Sequence, residues 1–463
     1  MDRNSSRFEV LGFLIILLTF VAFFPSISNG FINYDDPVYV TENPFVRDFS
    51  LSKIPEIFRS RSMNIYNPLV TLSFAFDYRM GGGKPQFFHF HNLMLHILTT
   101  ILVFRFMYIW TKSLFIAFWC AVFFGIHPLH VESVAWIAER KDVLSGALLT
   151  GAMNLWLEYR KRSSWLTYLG VWFLLSLSLL VKPVGILFPF LVWCLDRFSG
   201  QENHKWPKPD VLAFFLLAFP AFYFAVGHQS LEQKLDKTAL PFTQLVFVGI
   251  RNFNWYIEKA FWPVDLSIFY PMSELQKTTF SKEMFTFVLL FSAFSVAFIK
   301  IKSKPEVRAG LLLFLLLQIP YLKFVPFGND FICADRYFYF SSIGFFLYFI
   351  GIIAAVSEAS NNQKVLGGIC LVLTLVTITF SGMTWSRCKN WHNSETLWHD
   401  AVTKYPGSAD AWNNLGVALS YRGKEGTIDA IECFRKAYEI DPSMKIAEDN
   451  LEKFLKELDS LEP

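Results

Sequence analysis

Apolar stretches long enough to cross a bilayer recur along this chain almost from end to end, and that pattern excludes an ordinary soluble fold. They begin near residues 9, 88, 113, 142, 164, 184, 210, 283, 308, 338 and 365. At ~20 residues each they give about eleven helices. The fold class read from this is all-α, a polytopic membrane protein. Composition agrees: 53% of residues are hydrophobic and only 17% charged, too apolar for water to be the main solvent. The 52 phenylalanines and 14 tryptophans suit lipid-facing surfaces and interfacial belts. A net charge of +3 gives no sign of a nucleic-acid partner. Arg3 and Arg7 ahead of the run from Val10 to Phe24 have the look of a signal peptide ending near Ser28, but the many apolar stretches that follow favour a first membrane helix. Cys120, Cys194, Cys333, Cys370, Cys388 and Cys433 show neither metal spacing nor a disulfide framework and read as small core residues.

Orientation follows from basic residues. Arg3 and Arg7, Lys112, Arg160 to Arg162, Lys205 and Lys208, and Lys300 to Arg308 fall on one side, which should be cytoplasmic. This requires that residues 245–263 do not cross; their Arg251, Asn252, Asn254, Glu258 and Lys259 suit a surface or re-entrant helix. The opposite face then receives residues 31–87, 127–141, the turn at Lys182, residues 229–282 and 326–337, and everything after 382. The expected membrane is a bacterial inner membrane with a periplasm-facing site, or an endoplasmic reticulum membrane with a lumen-facing one.

Two units are expected: a membrane body over residues 1–384 and a soluble tail over 385–463. In the tail, Trp412, Leu415, Gly416, Ala430, Phe434, Ala437 and Pro442 follow the order of the tetratricopeptide pattern, with about two residues inserted at the turn from Arg422 to Gly426. Trp398, Ala401 and Pro406 match the second half of a preceding repeat. A polar final helix, Lys445 to Leu458, can cap the stack.

Four constellations stand out. Tyr34-Asp35-Asp36-Pro37 places two carboxylates just beyond the first helix, where one can act as a general base, or where the pair is only an Asp-Pro turn. The run from His127 to Asp142 contains His127, His130, Glu132, Glu139, Arg140 and Asp142 between two apolar helices. Such density near hydrocarbon requires pairing or a wet cavity. Salt bridges among Glu139, Arg140 and Asp142 are the structural reading. His127, His130 and Glu132 are metal-ligand types without a known metal spacing; a divalent metal is not indicated. Ala334-Asp335-Arg336-Tyr337 opens a late helix, and Lys182 ends an earlier one; Arg336 has the forked donors that suit a phosphate, or it snorkels to headgroups. Finally, Tyr66 to Asp77 and His89, His91 and His96 precede or enter the second helix, with Asp77 read as a surface carboxylate and His96 as a satisfied intrahelical histidine.

Together these segments resemble the transmembrane and tetratricopeptide repeat-containing protein O-mannosyltransferases and, more widely, the GT-C glycosyltransferases. The Asp-Asp pair, the His-Pro-x-His-x-Glu run ending in Arg140 and Asp142, the Ala-Asp-Arg-Tyr start of a late helix and the C-terminal repeat carry the resemblance over almost the whole chain. It implies an inverting transfer in which Asp35 or Asp36 acts at the acceptor hydroxyl. Arg336, with Lys182 and Tyr337, would bind the phosphate of a polyprenyl-phosphate sugar, while His127, His130, Glu132, Glu139, Arg140, Asp142 and Tyr66 shape the pocket. No cofactor beyond this lipid-linked donor is implied. The family's donor sugar is mannose and its acceptor a protein serine or threonine, recruited through the repeat. The tail here is far shorter than the long arrays of animal members, so a glycan or lipid of the cell envelope is the alternative acceptor. A non-catalytic scaffold or transporter is a reading of another class; it predicts polar residues in mid-helix, whereas here they gather at helix ends.

Overall fold

The computed structural model describes residues 3–63, 65–199, 208–227, 241–301, 304–324 and 331–461. Among these residues the secondary structure is helical, with two isolated β-bridges and no strand. Helix α1 (Arg3–Phe23) ends in a 3-10 turn reaching Ser28. A loop over the end of the bundle then leads to α2 (Pro68–Gly81), α3 (Pro85–Thr111) and α4 (Leu114–Ile126). Next come the short α5 (Val131–Ala135), then α6 (Arg140–Arg162), α7 (Trp165–Leu179) and α8 (Phe188–Phe198). The second half contains α9 (Phe215–Gly227), α10 (Phe242–Phe261), α11 (Phe280–Lys300), α12 (Pro305–Gln318), α13 (Ser341–Ser360) and α14 (Gln363–Asn390). The tail is α15 (Ser394–Lys404), α16 (Ala409–Ser420), α17 (Lys424–Ile440) and α18 (Lys445–Leu461). Helix α14 runs through residue 385, the expected start of the tail, and stops at Asn390.

Among the described residues, five helices are long and apolar enough to cross a membrane, and six if the bent pair α4 and α5 forms one span. The expected eleven differ from this for geometric and electrostatic reasons. Helices α7 and α12 have 15 and 14 residues, which reach about 21–23 Å at 1.5 Å per residue, short of the ~30 Å hydrocarbon core. Helix α6 is long enough at 23 residues but starts on Arg140, Lys141 and Asp142 and ends on Arg160, Lys161 and Arg162. The stretch expected not to cross forms α10, which is not among the five. Its Asn252 and Asn254 are buried, and their amide N–H groups donate to the carbonyls of Ile332 (3.0 Å) and Glu283 (2.9 Å), so these donors are satisfied by protein.

The break between α4 and α5 is written locally. A residue ahead of proline is pushed out of the helical region, and His127, before Pro128, is extended at φ −69°, ψ 132°. Its Nδ1 accepts from the Leu129 N–H (3.2 Å) and caps the turn that follows. The chain bends by 51° there, which turns Glu132 and Ser133 inward rather than along the α4 axis.

Charged loops at the other end of the bundle pair among themselves. Arg160 bridges Asp196 (2.5 Å) and Asp210 (2.6 Å), Arg105 meets Glu158 (3.1 Å), and Lys304 meets Glu358. The crossing of α12 and α13 then fixes where the Ala-Asp-Arg-Tyr segment lies, because that segment leads directly into α13. It is a backbone contact: a Cβ on Gly344 would lie 2.2 Å from the Phe314 nitrogen, and one on Gly310 would lie 2.4 Å from that of Tyr348. Small residues permit such close approach in helix pairs. Gly344→Val should therefore lower thermal stability in detergent by about 1–3 kcal/mol through overpacking. Gly382→Ala, in α14 where a Cβ meets nothing within 4 Å, should be neutral or stabilising in the same melt.

Candidate active site

The segments that the charge rule put on one face meet at one end of the bundle. The loop after α1 comes first. Asp36 is buried, and its two oxygens accept the backbone N–H groups of Ile32 (2.9 Å) and Ala138 (3.0 Å). It thereby pins its own loop to the turn between α5 and α6. Burial pushes its pKa up to about 7, against the pull of those two bonds. Asp35 differs from its neighbour. It is half-buried, and among the described residues no hydrogen bond reaches its carboxylate. Burial raises its pKa, with Lys141 and Arg336 lowering and Glu139 raising it. The adjacent Tyr34 ring stacks on Trp136 with centroids 5.4 Å apart, and burial pushes its phenol up to about 12, so it remains neutral.

The α5 turn supplies the partners of Arg336. Glu132 accepts the Arg336 backbone N–H (2.8 Å) through one oxygen and forms an ion pair with the guanidinium through the other. Glu139 lies 3.4 Å from Arg336 Nε and 3.3 Å from Lys141 Nζ. On the same side, Asp142 pairs with Lys182 and accepts from Ser133 Oγ (2.9 Å). Exposure divides these pairs. Glu132 and Asp142 are sealed at 0%, while Arg336 and Lys182 keep 12% and 16% of their side chains open. An anion arriving from the open side therefore meets cations before carboxylates. Tyr321 and Tyr337 stack at 4.6 Å between them, with Lys182 6.0 Å from the Tyr321 centroid and Arg336 5.1 Å from that of Tyr337.

Other residues singled out in the sequence lie elsewhere. Arg140 does not join Glu139 and Asp142. Its buried guanidinium pairs with Asp77 and donates to Asn92 Oδ1 (2.7 Å) and the Phe88 carbonyl (2.9 Å), tying α6 to α2 and α3. Asp77 is accordingly buried rather than a surface carboxylate, and it also meets His91 (2.7 Å). His127 Nε2 bonds the Ala260 carbonyl (3.0 Å) and His130 Nδ1 the Phe124 carbonyl (2.8 Å), among the rings of Phe338 and Tyr339. Both are core histidines. His96 bonds Tyr339 OH (3.0 Å) and the Gly125 carbonyl (3.2 Å) and is satisfied as expected. Tyr66 is 40% exposed, and among the described residues no hydrogen bond or ring contact joins it to the cluster. No group of three or more metal-ligand residues able to hold an ion occurs among the described residues. The six cysteines are free, and five are buried.

Sequence reasoning passed over Lys141, Tyr321 and Tyr34. Lys141 stood inside the charged run, between Arg140 and Asp142, and was findable there as a second cation close to Glu139. Tyr321 carried no signal, because only the fold brings the 3-10 turn after α12 (Ile319–Tyr321) beside Tyr337.

Comparison with known proteins finds relatives over most of the chain. A protein O-mannosyl-transferase of Caenorhabditis elegans is 25% identical over 467 residues, 95% of this chain and 64% of that protein. The human protein O-mannosyl-transferases TMTC3 and TMTC1 are each 24% identical, over 93% and 92% of this chain and 51% and 54% of theirs. The chain is similar to protein O-mannosyl-transferases. It spans between half and two thirds of the length of these relatives. No protein-family model and no solved structure matches it.

Removing Arg336 would leave Glu132 and Glu139 buried without their shared cation. Arg336→Ala should lower stability by about 3–5 kcal/mol, and Arg336→Lys should recover part of that because a charge remains; thermal unfolding in detergent micelles reads both.

Proposed function

We propose that this protein is a GT-C-type inverting glycosyltransferase that moves a mannose-like sugar from a polyprenyl-phosphate donor to a serine or threonine hydroxyl of a protein. The membrane body, residues 1–384, carries the reaction on the extracytoplasmic face, with some of the shorter helices completing the set of spans; the tail, 385–463, is a tetratricopeptide-like module. The observation that carries the chemistry is the contrast between Asp35 and the open cations. A half-buried carboxylate with no hydrogen bond among the described residues faces the same charged cluster as an arginine that keeps one edge exposed.

In this reading Asp35 is the general base. It takes the proton of the acceptor hydroxyl as that oxygen attacks the anomeric carbon, and the bond from that carbon to the phosphate oxygen breaks on the opposite face. The configuration inverts and the leaving group is a polyprenyl phosphate. Arg336, as a fork, and Lys182, as a point charge, stabilise the negative charge that develops on it. Tyr321 and Tyr337 form the wall between the two cations. Asp36, occupied by two backbone N–H groups, holds the loop rather than the proton. Glu132, Glu139 and Asp142 hold the cations in place. The names of the similar proteins support mannose and protein as sugar and acceptor.

Asp35→Asn should reduce transfer from polyprenyl-phosphate mannose to a serine- and threonine-rich peptide by about 10²–10⁴-fold. Wild-type transfer by a folded Asp35→Asn protein would remove the proposed base. The base works only when ionised, so kcat/KM should fall as pH drops through the Asp35 pKa, with the acidic limb above the ordinary carboxylate value of about 4. Reporter fusions after residues 163 and 382 should lie on opposite sides of the membrane, the first cytoplasmic; a cytoplasmic reporter at 382 would overturn the orientation.

A further inference from the structure

The loop that carries Asp35 is held by the tail as much as by the membrane body. Asn33 spends its side chain and its N–H on the tail. Its N–H donates to Ser394 Oγ (2.8 Å), its Nδ2 to the Asn414 carbonyl (3.0 Å), and its Oδ1 accepts from Trp398 Nε1 (2.8 Å). These partners lie on α15 and α16. Upstream, Asn29 Nδ2 bonds the Cys388 carbonyl (3.1 Å), and the Gly30 N–H bonds that of His392 (2.8 Å). Tyr34 then packs between the two parts of the protein, with Trp136 of the body at 5.4 Å and Trp398 of the tail at 5.5 Å, the latter edge-on at 81°. Trp398 is fully buried and has both kinds of contact, a hydrogen bond to Asn33 and a ring contact to Tyr34.

Asp35 therefore sits between two anchors, Asn33 on the tail and Asp36 on the body. Among the described residues its own carboxylate has no hydrogen bond, so its aim depends on how the residues on either side hold the backbone.

Resting on the assignment of Asp35 as the base, we propose that Trp398, through Asn33 and Tyr34, is a positioning residue for that carboxylate, and that the first tail helix is a structural part of the active site. The tail is then more than a docking module. A second network braces it: Asp400 of α15 bonds Arg387 (2.7 Å) and Lys404 (2.7 Å), and Lys404 donates to the Leu266 carbonyl (2.7 Å). With Arg387 3.9 Å from Asp335, the residue before Arg336, the same helix is linked to both the base and the phosphate side of the site.

The test uses the full chain in detergent with phospholipid. Trp398→Phe keeps an aromatic ring against Tyr34 and deletes the indole N–H; Asn33→Ala deletes the acceptor. Trp412→Phe is the control, because its indole N–H bonds the Pro406 carbonyl (2.9 Å) within the tail. With polyprenyl-phosphate mannose and a serine- and threonine-rich peptide, Trp398→Phe and Asn33→Ala should each lower kcat about ten- to a hundredfold, the scale on which small misplacement of a reacting group acts. Donor KM should stay within about twofold, and Trp412→Phe should match wild type. A second readout needs no turnover: carbodiimide coupling of glycine ethyl ester to Asp35, followed across pH by mass spectrometry, should change its rate and midpoint in Trp398→Phe and Asn33→Ala only. Wild-type kcat and wild-type Asp35 labelling in either folded variant would overturn the proposal. Equal losses in Trp398→Phe and Trp412→Phe would do so too, since they would reduce the effect to tail stability. The base assignment fails separately, by transfer in Asp35→Asn, and in that case the labelling comparison still decides whether Trp398 positions the Asp35 carboxylate.

Discussion

Arg336 lies at the end of an apolar helix bundle only because two carboxylates come to meet it. A guanidinium does not shed its charge to escape a low-dielectric setting, so it must be paired or left in water. Glu132 and Glu139 reach it from the segment that follows the break at Pro128, and Glu132 binds both its guanidinium and its backbone N–H. Had α4 run straight on, Glu132 would have continued along the helix axis rather than turning in toward Arg336. The proline, the 51° bend and the charged cluster are therefore one feature. The turn that results also presents the Ala138 N–H to Asp36, so the phosphate side and the base side of the site share a single piece of chain.

Neighbouring carboxylates in this site have different tasks, and hydrogen bonding separates them. Asp36, Glu132 and Asp142 are each committed to a backbone N–H, a cation or a hydroxyl. Asp35 is not. A carboxylate that already accepts two backbone bonds, as Asp36 does, is held in place with its oxygens engaged, which suits it to architecture even though burial still raises its pKa to about 7. A partly buried one without such bonds has a raised proton affinity and an open lone pair. The same contrast separates Arg140 from Arg336: one is sealed between Asp77 and two carbonyl or amide oxygens, the other keeps an exposed edge.

The tail closes the arrangement from outside. Its helices pack tightly on one another, with a Cβ on Gly416 lying 2.6 Å from the Phe434 ring and Phe434 stacked on Phe454 at 5.3 Å. Its first helix reaches the rest of the protein through the Trp398 indole, which bonds Asn33, and through Asp400, which pairs with Arg387 of α14 as well as with its own Lys404. These contacts give the tail helices a firm platform on the membrane body.

Periodicity and local chemistry were legible in the sequence: the apolar helices, the break before Pro128, the helix pair around Gly416, and the grouping of polar residues at helix ends. These depend on neighbours within a few positions, and a linear reading reaches them. The pairing of charges was not legible. The sequence placed Arg140 beside Glu139 and Asp142, yet a helix turns by about 100° per residue, so Arg140 faces α2 and α3 while Asp142 faces Lys182. His127 and His130 were expected to shape the pocket and are core residues instead, since their rings bond carbonyls of α10 and α4. Of the eleven apolar stretches, five or six of the described helices are long and apolar enough to cross by themselves, because apolar composition does not give helix length. The difference between Asp35 and Asp36, adjacent and chemically identical, came only from the fold: the Ala138 N–H that occupies one of them lies 102 positions away in the chain.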